Sequence, residues 1–182
     1  MPLTQHALPF GLRDVKLKPI TGLNTLGPAV DLPVARTFSF TESEDFETLE
    51  GDDTTAASVG SGPTASWELE SGGLPFEAFR VMAGGTITES GVTPSQKKVF
   101  SKKVTDRRPY FQTEGQAISD SGGDVHGILY RCKADGDLEG EFSNGSFFLL
   151  SASGTAFGDT VGTNPTNNLY DFVQNETAIA IE

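Results

Sequence analysis

Two histidines, one cysteine and two carboxylate clusters are the residues of this 182-residue chain whose types could do chemistry. Nucleophilic catalysis needs a general base beside the nucleophile. His6 falls in a segment read as a loose arm, and His126 stands at the start of a strand, where a structural role is expected. Cys132 alternates in phase with Ile128 and Tyr130 and reads as a small buried hydrophobe. A lone cysteine allows no intrachain disulfide and no cysteine-based metal site. The stretch DGDLEGEFSNGS, from Asp135, has acids at its first, third and fifth positions and Gly140 at its sixth, like a calcium loop. Its twelfth position is Ser146, where a bidentate glutamate is required, and its flanks are not helical. No glycine loop follows a strand and opens a helix, so no phosphate cradle is expected. The sequence reads as a non-enzyme with no metal and no cofactor.

Two charge clusters of opposite sign remain. Glu42, Glu44, Asp45, Glu47, Glu50, Asp52 and Asp53 lie together without a basic residue. Lys97, Lys98, Lys102, Lys103, Arg107 and Arg108 supply six of the 13 lysines and arginines. Patches of opposite sign on one chain can meet across subunits, setting register and association rate. Glu47 and Glu50 are therefore paired with Lys102 and Lys103 as candidate contacts. A nucleic-acid patch, an internal counterpart to the acidic segment, and plain solvated faces are the other readings. The net charge of −12 argues against general affinity for DNA, RNA or anionic membrane.

The elements that position these groups read as mainly β. The 21 glycines and the short alternating runs fit a single all-β domain with one main helix. Ser66 to Glu70 alternates strictly: Trp67 and Leu69 point one way, Ser66, Glu68 and Glu70 the other. Gly72-Gly73 ends that strand, Pro75 suits a first helical turn, and Leu74 to Ala83 is expected to be helical, stopped at Gly84-Gly85. Leu74, Phe76, Phe79 and Met82, with Ala78, Val81 and Ala83, make this helix apolar around most of its girth. A second cover is needed, and a neighbouring subunit or the end of the chain's own sandwich can provide it.

Elsewhere, residues 1–34 are expected as an N-terminal arm and a first strand, Leu12 to Ile20, followed by a connecting loop. Arg36 to Thr41 is a strand with Phe38 and Phe40 inward. Residues 43–64 read as a long loop or hairpin tip, with a helical turn possible at Phe46 and Leu49. Thr86–Glu89, Tyr110–Ile118, Val125–Lys133 and part of Leu138–Ser153 are strands, with Asp135-Gly136 a hairpin turn. Residues 154–182 form a linker and C-terminal arm, whose closing TAIAIE needs a sheet edge to pair with. The beginning of the sequence lacks a basic region followed by an apolar run, and no apolar run approaches a membrane span, so neither export nor membrane insertion is expected.

The stretch WELESGGLPFEAFRVMAGG from Trp67, preceded by ETLEGDD from Glu47, resembles the major tail tube protein of long-tailed bacteriophages. The resemblance covers about residues 35–150. It implies a β-sandwich or barrel with one flanking helix, six copies closing into rings, and rings stacking through the long loop and arms into a hollow tube. It implies a virion tail, assembled in the host cytoplasm. Its partners would be further copies of this chain, a tape measure protein, tail-tip and terminator proteins, and viral DNA passing without specific binding. In such a tube the face opposite Trp67 and Leu69 would line the lumen, through Glu68 and Glu70 with Glu114 as companion, and Leu74, Phe76, Phe79 and Met82 would pack between subunits. A secretion-system tube protein of the same fold and a soluble β-sandwich binding module are the alternatives.

Overall fold

A computed structural model describes residues 6–160 and 167–182, apart from Asn24, Asp52 and Asp53. The start of the expected arm, two acids of the acidic cluster and the centre of the expected linker thus lie outside the described residues. The fold is mainly β with one helix. In chain order the strands are β1 (Pro9–Gly22), β2 (Thr25–Leu26), β3 (Val30–Asp31), β4 (Ala35–Ser43), β5 (Phe46–Gly51), β6 (Thr54–Gly60) and β7 (Thr64–Gly72). The helix α1 (Phe76–Ala83) follows, then β8 (Thr86–Ser90), β9 (Lys97–Ser101), β10 (Tyr110–Ser119), β11 (Asp124–Lys133), β12 (Leu138–Gly140), β13 (Leu149–Phe157) and β14 (Tyr170–Asn175).

One hydrogen-bonded path, β2-β1-β10-β11-β13-β7-β4, folds back on itself into two layers, the arrangement of a β-sandwich. The fold point is β11. Its first half, Asp124 to Leu129, pairs with β14, and Arg131 to Lys133 pairs with β13. A bulge sets two β11 residues, Tyr130 and Arg131, against Gln112 alone, so the side-chain phase changes along the strand. Leu129 and Cys132 therefore both point into the core, while Tyr130 bonds Asp171. The expected grouping of Ile128, Tyr130 and Cys132 on one face is corrected by that bulge.

The layers meet through Trp67, edge-on to Phe111 at 5.6 Å, and through Phe38 of β4, which lies against Gly115 and Gly127. Phe40 stacks on Tyr170 and Phe172 of β14. Two glycines make this approach possible. A β-carbon on Gly115 would sit 2.3 Å from the Phe38 ring. One on Gly154 would sit 2.0 Å from the Lys133 carbonyl and 2.7 Å from the Trp67 indole.

Helix α1 starts after Pro75 and stops at Gly84, whose φ of 74° suits glycine. Eight residues cannot hold a helix in water. Burial of Val81 and Met82, each contributing roughly 2 kcal/mol, offsets that deficit. The helix packs on β1, β3 and β10, and its other side is covered by the β8–β9 hairpin, whose Phe100 stands edge-on to Phe79 at 4.9 Å. The second cover comes from the same chain.

Several local expectations are revised. β1 runs through Pro19 to Gly22, and the segment after it contains β2 and β3, which pair with β1. Phe46 and Leu49 lie on a strand and not on a helical turn, since Thr54, Thr55 and Val59 of β6 supply a β-branched partner. Asp135-Gly136 does not make a hairpin: Arg108 takes the carbonyls of Ala134 and Gly136, and the chain crosses so that β12 pairs with β13. The expected linker begins inside β13. TAIAIE joins no ladder; it crosses the outer face of β10 and β11.

Gly154→Ala is expected to lower unfolding free energy by about 3 kcal/mol or more, because the clash is with backbone. Gly22→Ala, where a β-carbon meets nothing within 4 Å, should change it by about 0.5 kcal/mol or less. Chemical denaturation of both variants measures the difference.

Candidate functional site

The layer of β4, β7, β13 and β12 presents a hydrophilic outer face. Register places Thr37 beside Glu70, Ser39 beside Glu68 and Thr41 beside Ser66. Across β7, the same rows continue with Ser151, Ser153 and Thr155, and Glu139 of β12 lies opposite Ser151. Hydroxyls and carboxylates thus share one surface, whose bordering cation, Arg36, is 3.3 Å from Glu70. β4 closes the sheet order, with no strand among the described residues on its second edge.

Glu114 does not belong to that face. It lies on the other layer, 8 % exposed, with His126 Nδ1 at 2.9 Å from Oε1 and Lys18 Nζ at 3.4 Å from Oε2. The correction follows from topology: β10 pairs with β1 and β11, so its outward side chains meet theirs. His126 Nε2 also lies 3.0 Å from both Asp124 Oδ2 and the Ile179 carbonyl. Burial opposes charge on this imidazole, yet the Asp124 and Glu114 carboxylates outweigh it and raise its pKa above the ordinary value. Asp124 is fully buried. Burial alone would raise its pKa, but hydrogen bonds from Gln116, Asn175, the Ile179 amide and His126 hold it at about 2. Both ring nitrogens of His126 are thus engaged within the chain, and burial pushes the Cys132 thiol up, as expected of a core residue. Among the described residues no group of three or more such side chains is placed to hold a metal ion, and the Asp135 segment runs from an open turn into β12.

Lys98 bonds Glu77 at 2.9 Å and lies 3.1 Å from Glu89, tying the β8–β9 hairpin to α1. Lys102 donates to the Ala83 carbonyl at the negative end of α1 and to the Asp106 carbonyl at 2.8 Å. Lys102 therefore serves the chain's own fold while remaining exposed. Lys103 is exposed, as are Glu47 and Glu50 on β5. Of the helix residues proposed to meet a neighbour, Met82 is 1 % exposed in the chain's own core, and Phe76 and Phe79 lie against Phe100. Leu74 is exposed. The helix girdle is therefore not the free interface that its composition indicates.

Two exposed apolar features stand at opposite ends of the β4–β7 ladder. At one end the ladder continues through the Ser61 amide to Asp45 carbonyl bond into the β5–β6 hairpin. Apart from half-buried Gly60, its described residues are exposed; Leu49 and Ala57 share a face with Glu47 and Val59, and Phe46 lies on the other. At the far end an open groove of about 700 Å³ is lined by Val34, Arg36, Gly72, Gly73, Ser146, Phe147 and Leu149. Phe147 is 93 % exposed. Val34 is held at φ 54°, a costly conformation for a β-branched residue that commonly marks functional positions. Sequence reasoning missed this groove because Val34 and Phe147 are far apart in the chain. The apolar run Phe147 to Leu150 was visible, but not that its first residue faces solvent.

Comparison with protein-family models and with curated proteins gives no match for this chain.

Asp124→Asn should remove about 2 kcal/mol of stability at neutral pH, from the size of the pKa depression. A depressed carboxylate stabilises fully above its ordinary pKa, near 3.8, and that contribution is lost as pH falls towards about 2. Urea unfolding across the acid range is therefore expected to show a steeper acid loss in the native chain than in the variant.

Proposed function

We propose that this chain is a structural subunit that stacks head to tail into a tube, as a major tail tube protein of a long-tailed bacteriophage. The observation that carries the reading is the placement, at opposite ends of one ladder, of an exposed hairpin bearing Leu49 and Val59 beside Glu47 and of an apolar groove bordered by Arg36. Nine strand residues separate them, about 30 Å at 3.3 Å per residue. A knob and a socket at opposite poles form a heterologous contact, and repetition of it gives an open-ended assembly. The hairpin itself supports the reading, because a two-stranded ribbon with both faces in water is marginal alone and gains stability when covered. Within the tube, six copies close a ring, and the free edge of β4 pairs between neighbours. The hydroxyl and carboxylate face carrying Glu68 and Glu70 then lines the lumen. Those carboxylates repel phosphate within about 8 Å at physiological salt, which keeps the duplex from adhering without opposing its passage. A tape measure protein within the growing tube and tail-tip and terminator proteins at its ends complete the partner set.

The test uses two variants: Leu49→Glu with Val59→Glu on the hairpin, and Phe147→Ser at the groove. Each alone is expected to remain folded by circular dichroism and to form no tubes by electron microscopy. Mixed, the intact groove of one and the intact hairpin of the other should join, giving assemblies two layers deep that do not grow. Normal tube growth by either variant, or a native chain that stays monomeric with tail partners supplied, would sink the reading.

A further inference from the structure

The segment 176–182 lies across the outer face of β1, β10 and β11, held mainly through its backbone. Lys16 Nζ donates to the Ile181 carbonyl at 2.7 Å. Gln116 Nε2 donates to the Ile179 carbonyl at 2.8 Å, and the Ile179 amide donates to Asp124 Oδ2 at 2.9 Å. The Ile181 side chain is buried, while that of Ile179 is exposed. Beneath the segment stands His126, whose two ring nitrogens face only acceptors: Glu114 Oε1 on one side, Asp124 Oδ2 and the Ile179 carbonyl on the other. A neutral imidazole has one N–H and one lone pair. One of its nitrogens would then confront an oxygen lone pair in a site where His126 is only 6 % exposed. With Glu114 and Asp124 ionised, only the doubly protonated ring donates to all three acceptors.

We infer that residues 176–182 form a releasable strap over this sheet face, and that the His126 imidazolium is the catch that holds it closed. The charged groups around the catch come from every packed element. β1 brings Lys16, Lys18 and Asp14, β3 brings Asp31, β10 brings Glu114, β11 brings Asp124, and β14 brings Asp171, bonded to Tyr130. Lys18 already partners Glu114, and Asp14 and Asp31 lie together beside Lys16. Loss of the ring proton therefore leaves the Glu114 and Asp124 carboxylates facing each other across a neutral ring. The raised pKa of His126 sets the direction. The catch is complete below the ordinary histidine pKa, still engaged just above it, and lost as pH rises through the raised folded value. Release uncovers the polar floor and frees an extended segment, TAIAIE, whose amides and carbonyls can join a second copy's sheet edge.

The inference is independent of the tube reading and is tested on the isolated full chain. Amide hydrogen exchange is followed by NMR at about pH 6 and about pH 9, the upper value staying below the lysine range near 10.4. The protection factor of the Ile179 amide should fall at least about tenfold between the two, while amides of the β7–β13 ladder keep theirs. In His126→Gln, which cannot gain a proton, Ile179 protection should be low and alike at both values. Equal protection of Ile179 at both values in the native chain would overturn the inference. A parallel fall in the ladder amides, or the native pH dependence persisting in His126→Gln, would overturn it as well. The ladder comparison within the native chain decides the matter even where the variant does not fold.

Discussion

The alternation of β7 is the constraint on which the rest of the structure depends. Trp67 and Leu69 are among the chain's most buried side chains, and Trp67 carries the contact between the layers. A strand has a side-chain period of two, so a slip of one residue would place Glu68 and Glu70 in the core and the indole in water. With both neighbours of β7 in register, that slip is closed off: Gly154 faces Trp67 on one side and Phe40 faces it on the other. Gly154 is fixed by the Lys133 carbonyl together with the indole, and the hydroxyl rows of β4 and β13 share the phase of the two glutamates. One apolar choice at Trp67 thus determines the composition of an entire outer surface.

The opposite layer solves a different problem. Its outer face carries Lys16, Lys18, Glu114, Asp124 and His126, yet it is covered by the chain itself. Burial of charge is unfavourable unless each group is paired and its remaining hydrogen-bonding capacity used. Asp124 meets that condition with four donors on two oxygens. The cover is an irregular segment, which allows its backbone groups to point down into the polar floor. A strand in the same place would direct them sideways to neighbouring strands. The covered face therefore depends on charge state, whereas the β7 face does not.

These differences explain what was legible in the sequence. Short-range pattern gave the phase of Trp67 and Leu69, the inward Phe38 and Phe40, the helix between Pro75 and Gly84, and the buried character of Cys132. The missed features all depend on contacts distant in sequence. The bulge at Tyr130 and Arg131 arises because β11 must serve two partner strands, and nothing in its own residues records that. Phe100 covers α1 from across a hairpin, so the apolar girdle looked unpartnered when it was not. Glu114 alternates like a solvent-facing glutamate, and only the crossing of Ile179 and Ile181 makes it buried. TAIAIE has the alternation of a strand, but its Ile179 amide donates to Asp124 and its Ile179 and Ile181 carbonyls accept from Gln116 and Lys16.

The same accounting bears on how copies of this chain can meet. With a net charge of −12, two copies repel at long range, and screening confines that repulsion to about 8 Å at physiological salt. The basic segment is the obvious source of compensation, yet three of its six charges are engaged within the chain. Lys98 serves Glu77 and Glu89, Lys102 caps α1, and Arg108 holds the Ala134 and Gly136 carbonyls. Such committed cations contribute little to a second molecule, because each would have to give up a bond already made. Short-range apolar contact is a second interaction that can offset the repulsion. Exposed apolar side chains are present at both ends of the β4–β7 ladder, Leu49 and Val59 at one and Val34 and Phe147 at the other, as well as elsewhere on the surface. These ends are unlike in shape, one protruding and one recessed, so neither is self-complementary. Under the proposed reading, a contact between these two ends would order copies in one direction and leave a free end after every addition.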